Sequence, residues 1–240
     1  MTGRVIAVLG AGPGLGMSMA RRFGREGFTV ALVSRNAERH GAYRDELAAA
    51  GVQARSYAAD LTDGAQAREV LGRVTADLGA IDTVYVGLAA LDGSLPAPIT
   101  EADGPSVRDA FETAVVPPVA LAAAVLPGMR ERGAGTLFFA GGLSGLRPMP
   151  MLGSLAPASA ALRMYVLTLN AALDGTGVYA ATLTIGGLIE RGDIHRMFED
   201  QGIPMTATLN PDDIAERAWH MRETRTEAEA VFDVLGTQTA

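Results

Sequence analysis

The chain has 240 residues, 48% of them hydrophobic, and a formal net charge of −7. That length suits one α/β domain with a full core, the composition excludes a disordered chain, and the acidic balance argues against a nucleic-acid surface, which needs a basic patch. Two absences exclude whole chemistries: without cysteine there is no disulfide, thiol nucleophile or thiolate metal site, and without lysine (all 20 basic residues are arginine) there is no Schiff base and no lysine-assisted tyrosine.

The N-terminus, MTGRVIAVLG, enters a strand-like run at once and lacks a signal-peptide layout. No apolar run is expected to approach the roughly 20 residues of a bilayer span, so the cytoplasm is the expected compartment and no membrane partner is expected. The first strand, RVIAVLG (4–10), runs into LGAGPGLG (9–16). Gly10, Gly14 and Gly16 permit a tight turn and close backbone approach, and Leu15, Met19 and Phe23 recur at helical spacing up to Gly27, a helix stop. A glycine loop between a strand and a helix is an anion cradle at a helix N-terminus; a tight turn alone would also use these glycines.

The second strand, FTVALVS (28–34), ends in Ser34-Arg35-Asn36. An acid here would select NAD through the ribose hydroxyls, whereas Arg35 suits a 2′-phosphate, so NADP(H) is the expected cofactor; a solvated arginine is the plainer alternative. The third strand, VQARSYAA (52–59), ends at Asp60-Leu61, where the carboxylate can accept from an adenine amino group, or Asp60 or Thr62 can cap the next helix. IDTVYVGL (81–88), GTLFFAG (135–141), VYAATLTI (178–185) and EAVFDV (229–234) complete about seven β-branched, apolar strands. Alternating with helices, they predict a Rossmann-type, doubly wound parallel sheet in a single domain, with ligands at the carboxyl ends of the strands. The stretch 187–210 breaks the rhythm and is expected to be a mobile substrate lid. The three histidines share no metal-ligand spacing, so no metal is expected.

From end to end the sequence resembles the short-chain dehydrogenase/reductase family. LGAGPGLG is similar to its Thr-Gly-xxx-Gly-x-Gly loop with Leu9 in place of threonine, FETAVVPPVALAAAVLPGM (111–129) to its fourth-helix segment, GTLFFAGGLSG (135–145) to its serine-bearing strand, SAALRMYVLTLNAAL (159–173) to the helix after its Tyr-xxx-Lys pair, and TIGGLI (184–189) to its turn beside the nicotinamide. The resemblance implies a cofactor site that includes Leu15, Gly87 and Ile189, a small-molecule substrate, and a homodimer or homotetramer built on segments 111–131 and 155–173.

It also implies an Asn-Ser-Tyr-Lys set for carbonyl reduction, and here the sequence departs. Asparagine falls on Ala114, serine on Gly142, tyrosine on Leu155 and lysine on Ser159, while the family's Asn-Asn-Ala-Gly run falls on Val86-Gly87-Leu88-Ala89. No tyrosine is well placed to substitute: Tyr165 lies far along the same helix, Tyr179 opens a strand at the wrong end, Tyr43 and Tyr57 belong to the adenine half, and Tyr85 reads as core. The polar candidates left for catalysis are Ser144, Ser154 and the lid group Glu190, Arg191, Asp193 and His195, whose plainer reading is a solvated helical face. Met149, Met151, Met164 and Met197 suit either an apolar pocket or core filling. Two functions follow: an NADP(H)-dependent oxidoreductase whose substrate, an iminium for example, needs no tyrosine acid, or a non-redox protein of this fold such as a cyclase, isomerase, dehydratase or non-catalytic partner subunit.

Overall fold

The computed structural model describes residues 3–88, 96–203, 205 and 207–236. In chain order the elements are β1 (Val5–Leu9), α1 (Leu15–Arg25), β2 (Thr29–Ser34), α2 (His40–Ala49), β3 (Ala54–Ala58), α3 (Gly64–Leu78), β4 (Ile81–Val86), α4 (Gly104–Ala114), α5 (Val116–Arg132), β5 (Gly135–Gly142), α6 (Leu155–Ala172), β6 (Val178–Gly186), β7 (Leu188–Ile189), α7 (Asp193–Asp200), β8 (Thr208–Leu209), α8 (Pro211–Thr224) and β9 (Glu229–Asp233). Seven strands form one sheet in the order β3-β2-β1-β4-β5-β6-β9, and every adjacent pair is parallel. The chain leaves β1 toward one edge and returns through β4 toward the other, so the strand order reverses between them and opens a crevice at their carboxyl ends.

Alternation along β1 shows why the strands read as continuous apolar runs. Val5, Ala7 and Leu9 face a core layer with Val70 and Val74 of α3, Leu121 and Met129 of α5, and Leu162 and Val166 of α6. Ile6 and Val8 face the opposite layer with Met19 and Phe23 of α1, Leu47 of α2, and Ile214 and Met221 of α8. Both faces are covered by helices, which is the condition for an all-parallel sheet.

Three expectations change. Asp63, not Asp60 or Thr62, caps α3: its carboxylate accepts from the amides of Ala65 and Gln66. The segment 111–129 is not one helix, because the chain breaks at Val115 and restarts with Pro117 and Pro118 in the first turn of α5, where a missing N–H costs nothing. Taken together, Gly104–Arg132 is also long and apolar enough to cross a membrane by length and composition, a run that the sequence reading passed over. In the structure this run is part of the helix layer, α4 against α6 and α5 against α3, β4 and β5.

Candidate functional site

The glycine loop begins where β1 ends. Gly10 has φ +96°, and a Cβ on it would stand 2.3 Å from the Gly87 carbonyl oxygen beyond β4. The Gly10 and Ala11 amides both donate to the Val33 carbonyl at 2.9 Å, and the Gly87 amide donates to the Leu9 carbonyl at 2.8 Å, so the loop is stitched across β2, β1 and β4. The amides of Gly12, Gly14, Leu15 and Gly16 make no backbone hydrogen bond among the described residues. Gly14 opens α1 without any side-chain cap. Four free donors on the positive end of a helix suit a diphosphate, and the residues present fit such a group.

Beneath the loop lies Tyr85, 3% exposed. A Cβ on Gly87 would fall 2.2 Å from its phenol oxygen, so the phenol fills the space under residue 87 that any side chain there would need. Burial pushes the Tyr85 pKa well up, and it remains a neutral core phenol. Of the run Val86-Gly87-Leu88-Ala89, Ala89 lies outside the described residues.

At the end of β2, Ser34 Oγ lies 2.8 Å from His40 Nε2 and 3.2 Å from the Asn36 carbonyl oxygen, which folds the strand end directly onto α2. Burial, aided by the nearby Arg44 charge, lowers the His40 pKa. Arg35 is exposed and makes no ion pair among the described residues. Asp60 closes the other side of the notch. Its carboxylate accepts from the Thr62 hydroxyl at 2.7 Å and the Thr62 amide at 2.9 Å, and these bonds hold its pKa below the usual range, with a smaller pull from Arg35. Leu61 is buried beside it.

Across the crevice the positions expected to carry acid–base chemistry lack its side chains, and two of them, Gly142 and Ser159, come together. Gly142 ends β5, and a Cβ on it would lie 3.2 Å from Ser159 Oγ and 3.3 Å from Ser144 Oγ. Ser144, 7% exposed, sits on a 3-10 turn, Leu143–Gly145, that packs against α6. Leu155 opens α6, Ser154 precedes it without capping it, and half-buried Ala114 closes α4. Hydroxyls are the only polar side-chain groups in this corner among these residues, and a serine without a base is a hydrogen-bond donor, not an acid poised near neutral pH. The other tyrosines stay out of it. The Tyr165 ring packs edge-on against Phe139 and burial raises its pKa. Tyr179 donates to the Glu227 carbonyl, and burial pushes its pKa up to about 12.

The segment after β6 folds back over the glycine loop. A Cβ on Gly14 would meet Ile189 Cγ2 at 3.0 Å and Gly192 Cα at 3.1 Å. The four polar residues grouped there in sequence are drawn to four different partners. Glu190 accepts from the Thr208 hydroxyl at 2.9 Å, Arg191 donates to Asp212 at 2.7 Å, Asp193 pairs with Arg39 at 2.6 Å, and His195 lies 3.5 Å from Glu199. Arg191 has φ +65°, a conformation that costs a non-glycine residue on the order of 1 kcal/mol, and its network helps to hold it. Burial alone would raise the Asp212 pKa, but hydrogen bonds from Ser18, Arg191 and Arg21 bring it down to about 2. Of the four methionines, Met151 and Met164 are 69% and 58% exposed, so neither is core filler. Pro204 and Thr206 of the expected lid lie outside the described residues.

The reading missed Arg39 and the Ser18–Asp212 anchor. Arg39 had a signal, as a second arginine four residues after Arg35 between β2 and α2. Asp212 had none, since Ser18 is 194 residues away.

Comparison with known proteins places this geometry. The family model for short chain dehydrogenases matches residues 4–191, and the chain belongs to that family. It is 29% identical over 192 residues to a short chain dehydrogenase of Pseudocercospora fijiensis, covering 78% of this chain and 60% of that one. It is also 29% identical over 221 residues to the NADP-dependent 3-hydroxy acid dehydrogenase YdfG of Salmonella typhi, covering 90% and 87%. Among solved structures, L-sorbose reductase from Gluconobacter frateurii, complexed with NADPH and L-sorbose, superposes with a TM-score of 0.81 at 23% identity, covering 100% of this chain and 98% of that one.

Proposed function

We propose that the chain is an NADP(H)-dependent oxidoreductase of the short chain dehydrogenase family that transfers hydride without a tyrosine acid. One observation carries this reading: the glycine cradle keeps its free amides, while a side chain at Gly142 would meet the hydroxyls of Ser159 and Ser144, and Leu155 stands one turn before Ser159 on α6. The NADP dependence in the name of the Salmonella relative, and NADPH in the L-sorbose reductase structure, support the choice of cofactor.

NADPH supplies a hydride when bound. The amides of Gly12, Gly14, Leu15 and Gly16 would hold its diphosphate, Arg35 its 2′-phosphate, and Asp60 and Leu61 would border the adenine, with Gly87 and Ile189 flanking the nicotinamide half. Ser144 and Ser159 can orient a polar group on the substrate. A carbon that accepts hydride with no proton on the same group, such as an iminium carbon, suits such a site, whereas a ketone oxygen left as an alkoxide does not. The segment 187–210 would cover the substrate as a lid.

NADPH is expected to bind more tightly than NADH, and Arg35→Asp to reverse the preference by removing the phosphate partner and adding an acceptor for ribose hydroxyls. Calorimetric titration of both cofactors reads this directly. Equal affinities in the parent would remove Arg35 from the role.

A homodimer or homotetramer is expected. Val116 of α5 is 47% exposed and Met164 of α6 is 58% exposed, so both helices leave apolar surface uncovered. Light scattering at micromolar concentration should give an oligomer, and a monomer would contradict it.

A further inference from the structure

Arg39 and Asp193 stand on opposite banks of the crevice. Arg39 is the residue before α2, and its neighbour His40 is clamped to Ser34 at the end of β2. Asp193 follows Gly192, which touches the site of Gly14 at the head of α1. Their 2.6 Å ion pair therefore spans from the end of β2 to the glycine loop, across the path along which a dinucleotide's phosphates run in this fold. Beside it is an open cleft of about 590 Å³ lined by Arg39, Asp193, Arg196, Met197, Asp200 and Gln201. Tyr43, one turn after Arg39 in α2, is 8% exposed, and its hydroxyl has no hydrogen-bond partner among the described residues. Burial raises the pKa of that phenol, and the nearby Arg39 guanidinium opposes the rise.

The Arg39–Asp193 pair is half exposed on both sides, and pairs of that kind are weak and readily exchanged. A phosphate dianion is a stronger partner for a guanidinium than one carboxylate, because it offers more charge and a bidentate edge.

We propose that Arg39 is a second ligand for the cofactor's 2′-phosphate beside Arg35, and that the phosphate takes it in exchange for Asp193, freeing the amino end of α7. This rests on the NADP(H) reading above. Binding of the adenosine half then loosens the lid before substrate arrives, and a cofactor without a 2′-phosphate does not.

The test uses adenosine 2′,5′-bisphosphate and adenosine 5′-monophosphate, which differ only in the 2′-phosphate and carry no nicotinamide. Titrated by calorimetry, Arg39→Met should weaken the bisphosphate about tenfold, the value of one charge-assisted hydrogen bond, and leave the monophosphate unchanged. Asp193→Asn should tighten the bisphosphate about two- to fivefold, as expected when an exposed competitor is removed. In the Arg39→Met background that gain should vanish, since it acts through Arg39. Amide hydrogen exchange in residues 193–200 should rise when the parent binds the bisphosphate and stay constant in Arg39→Met. A parent that prefers the bisphosphate while Arg39→Met binds it equally well overturns the proposal and leaves Arg35 as the phosphate ligand. So does an Asp193→Asn variant that binds it more weakly. A parent that does not distinguish the two nucleotides overturns the NADP(H) reading itself.

Discussion

The triple variant Gly142→Ser, Leu155→Tyr, Ser159→Lys should reduce simple ketones with NADPH, weakly but measurably, where the parent shows no turnover. A general acid is worth about 10²–10⁴-fold and an oxyanion donor roughly 10²–10³-fold, so restoring both together is the largest gain any change in this crevice offers. The backbone permits it. Gly142 and Ser159 already face one another, with the nearest hydroxyl 3.2 Å from the new Cβ, and Ser144 can turn aside by one rotamer step. Lysine one turn after tyrosine would lower the phenol pKa by charge proximity. Recovery stays partial because Ala114 leaves the asparagine position empty. A folded triple variant that binds NADPH and stays inert would mean that the substrate corner is shaped for other chemistry, which favours the cyclase, isomerase, dehydratase or partner-subunit reading.

Gly10→Ala should be the most damaging single change in the loop. The residue sits at φ +96°, and the new methyl would stand 2.3 Å from the Gly87 carbonyl oxygen, a backbone atom with no rotamer to yield. Strain of about 1–2 kcal/mol from the left-handed conformation adds to a backbone overlap, and the sum should exceed about 4 kcal/mol. Urea denaturation should show a folded fraction sharply reduced or absent. Gly12→Ala is the control, since a Cβ there meets nothing within 4 Å, and its stability should stay within about 1 kcal/mol of the parent. A Gly10→Ala chain as stable as Gly12→Ala would contradict the close approach of Gly10 to the Gly87 carbonyl described above.

The sheet was legible because a strand covered on both faces must be apolar throughout, and β1, β2, β5 and β6 carry that signature in their side chains. The glycine loop was legible for a related reason: Gly10, Gly14 and Gly16 each lie against another backbone or side chain, so their spacing records contacts. What failed to show was settled by backbone geometry or by distance along the chain. Asp60, Thr62 and Asp63 are all capping types, and only the turn at Asp63 decides which one caps α3. The apolar pattern runs unbroken across Val115 and so hides the junction of α4 and α5. Glu190, Arg191, Asp193 and His195 look like one cluster, but they lie against Thr208, Asp212, Arg39 and Glu199, partners on four different segments. Arg39 meets a partner 154 residues away, which no local pattern encodes.

The most direct test of the central claim is the rate at which protein-bound NADPH is consumed when a cyclic iminium, 3,4-dihydroisoquinolinium, or a matched ketone, cyclohexanone, is added to the parent chain. A cradle that holds the cofactor beside a corner without an acid predicts consumption with the iminium and none with the ketone. Robust consumption with the ketone would reveal a proton donor outside Gly142, Leu155 and Ser159, and consumption with neither would contradict hydride transfer as the function of this site.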